Sequence, residues 1–248
     1  MTLEQFFAEN REVAIAFSGG VDSAYLLYAA TRYAARVKAY YVSTAFQPEF
    51  ELADARRLAD ELGADMLVLH VDVLSNSAVT ANPSDRCYHC KNTLFRQILR
   101  AAENDGFPVL LDGTNASDDA GDRPGMRALR ELSVRSPLRE YGLTKAEIRR
   151  LSREAGLFTW DKPAYACLAT RIRTGEEITL QKLKQTEKAE GFLFGLGFRD
   201  FRVRMVDNTA KLELRETDLP LLLENREKIV TELRKDYDSV LLNLEVRK

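Results

Sequence analysis

The sequence predicts an α/β protein: a doubly wound parallel sheet over residues 1–172, then a small α+β domain over residues 173–248. Three observations carry that expectation. Short apolar runs rich in β-branched and aromatic residues alternate with helical patterns through the first part of the chain, as parallel βαβ units require. The first run, Val13-Ala14-Ile15-Ala16-Phe17, leads straight into Ser18-Gly19-Gly20-Val21-Asp22-Ser23 and then into a helix free of Gly and Pro. Beyond Ile172 the order changes to helix, hairpin, helix and strand.

Each element has its own signal. After the first helix, Val37 to Thr44 reads as a strand, and Glu49 to Leu62 as a helix closed by Gly63. Asp65 to Val71 is a third strand. Residues 72–93 break the rhythm, a helix is expected from Asn92 to Asn104, and Phe107 to Leu111 forms the next strand. Gly121 to Arg127 reads as a mobile loop beside the site. Thr144 caps a helix from Lys145 to Ala155, with Glu147 completing a capping box and Gly156 stopping it. In the second domain a helix is expected from Leu180 to Gly191, and strands 201–206 and 211–215 flank the turn Asp207-Asn208-Thr209 as a hairpin. A long helix from Asp218 to Lys235 and a last strand from Ser239 to Val246 complete a pattern compatible with a split βαβ unit.

Composition bounds the function. The 248 residues are 45% hydrophobic and 30% charged, as in a globular protein. A net charge of −2 gives no global reason to bind nucleic acid or an anionic membrane. No apolar run approaches the roughly 20 residues that cross a bilayer, and the start Met1-Thr2-Leu3-Glu4 is not that of a signal peptide. A cytoplasmic location is expected. There, an odd set of three cysteines points to metal or catalytic use rather than a structural disulfide.

The chemistry begins at the hexapeptide. Two glycines at a strand-to-helix turn let the backbone approach a ligand, and the unpaired N–H groups and dipole of the helix favour an anion there. The turn is not the P-loop of kinases, because Val21 stands where that loop has Lys. Asp112-Gly113-Thr114-Asn115-Ala116-Ser117-Asp118-Asp119, at a later strand's carboxyl end, is a second candidate for nucleotide or Mg²⁺ contacts. Cys87-x-x-Cys90 alone fits a redox pair, half of a zinc site or two ligands of an iron–sulfur cluster, and His89 with Cys167 would complete a zinc set. Arg171 and Lys162 would lower the pKa of the Cys167 thiol if they fold beside it. Arg202 and Arg204 alternate with Phe201, Val203 and Met205, so both guanidinium groups share one strand face, which reads either as a phosphate contact or as a plain solvated face.

The hexapeptide resembles the SGGxDS pyrophosphate loop of the ATP pyrophosphatase superfamily, whose members activate a substrate oxygen with AMP. Together with Lys162-Pro163 to Arg171 and the C-terminal α+β unit, it is similar over essentially the whole chain to the LarE family, ATP-dependent sulfur transferases of nickel-pincer cofactor assembly. The resemblance implies an adenine nucleotide alpha-hydrolase-like fold. It also implies ATP contacts from Ser18, Gly19, Gly20, Val21, Asp22, Ser23, Gly113 and Asn115, with Mg²⁺ at Asp22. The implied substrate is a pyridinium dicarboxylic acid mononucleotide contacted by Arg171, Arg202 and Arg204, and Cys167 is the implied sulfur donor. Members with a single site cysteine sacrifice its sulfur. Here Cys87 and Cys90 accompany Cys167, as in the three-cysteine members proposed to hold a four-iron four-sulfur cluster. Sulfide or another sulfur donor would then resupply the site.

The expected partners are small molecules and further copies in a homo-oligomer, with no nucleic acid and no membrane. Two other functions share some of these features: ATP-dependent thiolation of tRNA, and a nucleotide-binding iron–sulfur redox sensor without turnover. An acidic balance with no added RNA-binding domain argues against the first. Pyrophosphate release with ATP and a carboxylate substrate would exclude the second.

Overall fold

The computed structural model describes residues 2–118 and 124–247, which pack as two compact units. The first comprises the chain up to Val73 together with Asp85–Ala164; the second joins Leu74–Ser84 to the chain from Tyr165 onward.

The first unit is built on a parallel sheet of β1 (Glu12–Ala16), β2 (Arg36–Ser43), β3 (Asp65–His70) and β4 (Leu110–Leu111), in the order β3-β2-β1-β4. Arg135 extends it beyond β4 through a parallel bridge to Leu111. Side chains alternate across the sheet. Val13, Ile15, Ala39 and Tyr41 join one core with Leu26, Leu27 and Leu58 of the helices Val21–Tyr33 and Glu49–Leu62. Ala14, Tyr40 and Leu110 face the other way, onto Ile98 and Ala102 of the helix Arg86–Asn104. The chain moves outward from β1 to β3 and then returns to β4 on the opposite side of β1, so the strand order reverses between β1 and β4. In doubly wound sheets ligands bind at that reversal, beyond the carboxyl ends of the strands.

The second unit is a three-stranded sheet of β5 (Arg202–Val206), β6 (Thr209–Glu213) and β7 (Ser239–Leu242), with β5 and β6 antiparallel and β6 and β7 parallel. Asp207, at φ +52, makes the tight hairpin turn between the first two. Phe201, Val203, Met205 and Leu212 pack against Leu193 of the helix Leu180–Gly195 and against Ile229 and Leu233.

Several expectations change. The cysteine helix begins at Arg86 rather than Asn92, so both its cysteines are helical. Gly121 to Arg123 lie outside the described residues, while Pro124 to Arg127, read as loop, open the helix Pro124–Glu131; Pro tolerates a first-turn position because its N–H would be unpaired there anyway. The expected 218–235 helix breaks at the buried Asn225, whose Nδ2 donates to the Leu221 carbonyl at 3.0 Å and so ends Leu219–Glu224 before Arg226–Leu233 begins. The strands expected at 107–111 and 239–246 shorten to Leu110–Leu111 and Ser239–Leu242. β6 and β7 are direct neighbours, so no strand splits their crossover. Among the described residues no helix is long and apolar enough to cross a membrane.

Candidate active site

The loop after β1 is braced by its own serines. Ser18 Oγ lies 3.0 Å from Ser23 Oγ, which also accepts from Ser18 N at 3.3 Å and donates to the Gly20 carbonyl at 3.1 Å. Gly19 takes φ +73, and a Cβ there would stand 3.3 Å from Ala55 Cβ, so the position requires glycine on both counts. Gly20 is the N-cap of Val21–Tyr33, and among the described residues no side chain caps that helix. Its first-turn N–H groups are left for an anion.

The loop after β4 packs directly on this turn. A Cβ on Gly113 would stand 2.8 Å from Ser23 N and 3.2 Å from the Asp22 carbonyl carbon. Asp112, on its other side, accepts from Thr114 Oγ1 and Ser136 Oγ, each at 2.5 Å. Asn115 is buried, and its Oδ1 accepts from Ser117 N at 2.8 Å. Gly113 therefore shapes the crevice, and Asn115 holds the turn that follows it.

Asp22 is the carboxylate of the crevice. Oδ2 accepts from Lys145 Nζ at 2.5 Å, while Oδ1 is buried with no hydrogen-bond partner among the described residues. A buried carboxylate oxygen without a donor, beside an anion cradle, fits a hard cation such as Mg²⁺ accompanying a polyphosphate. Lys145 carries no sequence signal of its own. It follows the Thr144 cap and stands 123 residues from Asp22.

Cys87 and Cys90 lie on the first turns of Arg86–Asn104, three residues apart and hence on one helical face. Cys87 is exposed and Cys90 half-buried, and all three cysteines of the chain are thiols. Arg86, itself buried, places Nη2 3.9 Å from Cys87 Sγ. His89, considered as a zinc ligand, stands 3.4 Å from Asp85. Lys162, expected near Cys167, directs its ammonium to Asp54 at 2.7 Å and Glu51 at 3.9 Å within the first unit. Among the described residues no three of His, Cys, Asp and Glu form a ready metal-ligand group. The paired thiols fit part of the ligand set of an iron–sulfur cluster, and Cys167 belongs to the second unit.

In that second unit, Cys167 heads a 3₁₀ turn, Leu168–Arg171, and its carbonyl accepts from Thr170 N and Oγ1 at 2.9 and 2.8 Å. Arg171 is fully buried and grips Glu190 with two hydrogen bonds, 2.8 and 3.1 Å long, while its Nη1 donates to the Ala166 carbonyl at 2.9 Å. Tyr165 also donates to Glu190, and its phenol pKa is raised by burial first and then by that carboxylate. Arg202 is buried as well; burial, with Arg171 and Arg247 nearby, pushes its pKa down to about 10. Arg204 donates from Nε to both oxygens of Glu213 at 3.0 Å and lines a cleft of about 250 Å³ with Arg171, Arg173, Lys211 and Glu213. Of the three expected substrate arginines, Arg171 and Arg204 share this cleft.

A parallel sheet whose order reverses at a glycine turn and a bare helix N-terminus defines a nucleotide-binding domain of the adenine nucleotide alpha-hydrolase-like fold. Residues 4–148 match the asparagine synthase family. An uncharacterized protein of Synechocystis sp. is 40% identical over 86% of this chain and 80% of its own length. Pyridinium-3,5-bisthiocarboxylic acid mononucleotide synthase of Lactiplantibacillus plantarum is 33% identical over 87% and 79%, and an uncharacterized protein of Methanocaldococcus jannaschii is 31% identical over 96% and 91%. A tRNA-specific 2-thiouridylase of Thermotoga petrophila matches more distantly, 26% identical over 59% of this chain and 52% of its own. The chain belongs to the LarE family of the PP-loop superfamily, the ATP-dependent sulfurtransferases.

Proposed function

We propose that the protein adenylates a carboxylate of a pyridinium dicarboxylic acid mononucleotide and converts it to a thiocarboxylate, a step of nickel-pincer cofactor assembly. The observation that carries the first half is the crevice between β1 and β4, where a helix N-terminus without a side-chain cap adjoins the buried Asp22 Oδ1, which has no hydrogen-bond partner among the described residues. The carboxylate oxygen attacks the α-phosphorus of ATP as the bond to pyrophosphate breaks. The Ser18–Ser23 turn binds the departing pyrophosphate, and Asp22 holds Mg²⁺. Sulfur then attacks the acyl carbon, and AMP leaves with the electron pair of the broken C–O bond. The name and 33% identity of the Lactiplantibacillus relative support this choice of substrate.

For the sulfur we propose Cys87, Cys90 and Cys167 acting together as thiolate ligands of a four-iron four-sulfur cluster. Such a cluster would supply replaceable sulfur from sulfide or another donor, through an iron that no side chain ligates. Donation by Cys167 alone is the second reading. It needs no partner cysteines: its Sγ would acylate, and loss of the Cα proton with Cβ–Sγ cleavage would leave dehydroalanine and the thiocarboxylate. Anaerobic purification with iron and sulfide analysis, followed by intact-mass measurement after one turnover, tests both. We expect brown protein of unchanged polypeptide mass. Colourless, iron-free protein lacking one H₂S equivalent at Cys167 would establish sacrifice instead.

A further inference from the structure

Lys145 holds Asp22 with a movable head on a fixed base. Its helix, Lys145–Glu154, is fastened to the loop after β4: Lys145 N donates to Ser117 Oγ at 2.9 Å, and Ala116 N to the Leu143 carbonyl at 2.8 Å. Thr144 closes the same helix end with its capping box, and Ile148 is buried in the core that also holds Val21 and Ala24. The backbone at 145 is thereby set against the Ser18–Ser23 turn, all of it within the first unit.

The side chain is held more lightly. Its ammonium meets Asp22 Oδ2 and, among the described residues, makes no other hydrogen bond or ion pair. An ammonium carries three donors on a flexible four-carbon stem, so two donors remain for another acceptor, and the head can leave without the helix moving. Lys145 keeps 33% of its side-chain surface exposed and Asp22 22%, so a ligand in the crevice can reach both partners.

Two cations compete for this one carboxylate. Lys145 neutralises Asp22, which would otherwise repel phosphates drawn to the helix N-terminus. Asp22 Oδ1, buried with no hydrogen-bond partner among the described residues, suits Mg²⁺. Positive charges on both oxygens of one carboxylate repel each other, the more so in a partly buried site where screening is weak. A polyphosphate brings the remedy, because its oxygens offer the ammonium a second anion.

We propose that Lys145 is a two-position catalytic cation: its ammonium leaves Asp22 to the Mg²⁺ that enters with ATP and moves onto the phosphate chain, where it stabilises the charge that develops as pyrophosphate departs. The exchange breaks one ion pair and forms another, with no covalent change. It rests on the reading that the crevice binds ATP with Mg²⁺ for adenylation.

An ATP analogue with a methylene between the α- and β-phosphorus atoms tests this without turnover. In a crystal structure of the full-length protein with the analogue and Mg²⁺, Lys145 Nζ should lie within hydrogen-bond distance of a phosphate oxygen and no longer of Asp22. An ammonium that stays on Asp22, or bridges the two, overturns the exchange. Calorimetric titration with the analogue, in Mg²⁺ and in EDTA, reads the competition in solution. Lys145→Met leaves the Asp22 carboxylate bare, so binding in EDTA should fall much further than binding in Mg²⁺. The ratio of the two affinities should rise roughly tenfold, within the range usual for coupled sites. Lys145→Arg keeps a cation beside Asp22 and should hold the ratio near the wild-type value, and Asp22→Asn should lower it. An unchanged ratio in Lys145→Met overturns the competition, and Lys145→Gln takes its place should the methionine variant not fold. A wild type that binds no analogue in Mg²⁺ overturns the nucleotide reading itself; one that binds it with Lys145 still on Asp22 overturns the exchange alone.

Discussion

Lys145 holds its ammonium 2.5 Å from Oδ2 of Asp22, while Oδ1 of the same carboxylate is buried and unpartnered among the described residues. One oxygen is neutralised by the protein, and the other is left for a ligand. Asp22→Ala should therefore abolish AMP formation with the fold intact, and Ser23→Ala, which removes the brace to Ser18 and the Gly20 carbonyl, should do the same. Lys145→Met should slow adenylation roughly 100-fold, the scale of losing one charge stabiliser of a reacting phosphate. Pyrophosphate release on adding ATP and substrate measures all three.

Gly113 is the tightest glycine contact with this loop. A methyl at that position would stand 2.8 Å from Ser23 N, a main-chain atom of the first helical turn that cannot rotate away. Gly113→Ala should move the Ser18–Ser23 loop and weaken ATP binding by at least about tenfold, or ~1.4 kcal/mol. Titration calorimetry with ATP and Mg²⁺ checks this, and wild-type affinity would show that the crevice adapts.

Local signals made much of this fold legible. Gly63, at φ +61, ends Glu49–Leu62, and Thr144 with Glu147 forms the capping box that the spacing predicts. The elements that escaped depend on partners remote in sequence. Cys, Tyr and His are middling helix formers, so the start at Arg86 rests on packing rather than propensity. Asn225 reads as one polar residue in an apolar-periodic stretch until its side chain is seen to turn back on Leu221. Lys145 meets Asp22 across 123 positions, and Asn82 meets Arg173 across 91. No local pattern encodes either pair.

Two buried arginines of the second unit should respond oppositely to mutation. Glu190 satisfies Arg171, Tyr165 and Val203 N at once, so Glu190→Ala strands a buried guanidinium and should cost about 3–5 kcal/mol. Arg202→Met removes a charge whose pKa burial has already depressed to about 10, and should cost far less or raise the midpoint. The pH dependence has a definite sign. The unfolded chain binds the Arg202 proton more tightly, so this group contributes a gain in stability only as pH rises above about 10, and nothing pH-dependent near neutrality. Thermal unfolding followed by circular dichroism at several pH values separates the two variants.

The tRNA reading makes its own demand. A thiolase must neutralise several phosphates, so its affinity would fall steeply with salt. With a net charge of −2, this protein should bind tRNA weakly and transfer no sulfur to it. A tight, salt-sensitive complex whose tRNA becomes thiolated would reverse the assignment.

Cysteine variants separate the two sulfur routes. Cys167→Ala should abolish thiocarboxylate formation by either route, while adenylation survives because the Ser18–Ser23 crevice lies in the first unit. Cys87→Ala and Cys90→Ala decide between them. These thiols sit three residues apart on one helical face, Cys87 exposed and Cys90 half-buried, a placement that suits shared ligation and that a self-sufficient Cys167 does not require. If all three act together, each variant should lose iron, visible absorbance and sulfur transfer together, while pyrophosphate release remains at the wild-type rate. If Cys167 donates its own sulfur, Cys87→Ala and Cys90→Ala should still make one thiocarboxylate per chain. Single-turnover assays under anaerobic conditions, with sulfide supplied and withheld, read that difference directly. Full single-turnover yield in both variants would remove the pair from the chemistry and leave Cys167 to act alone.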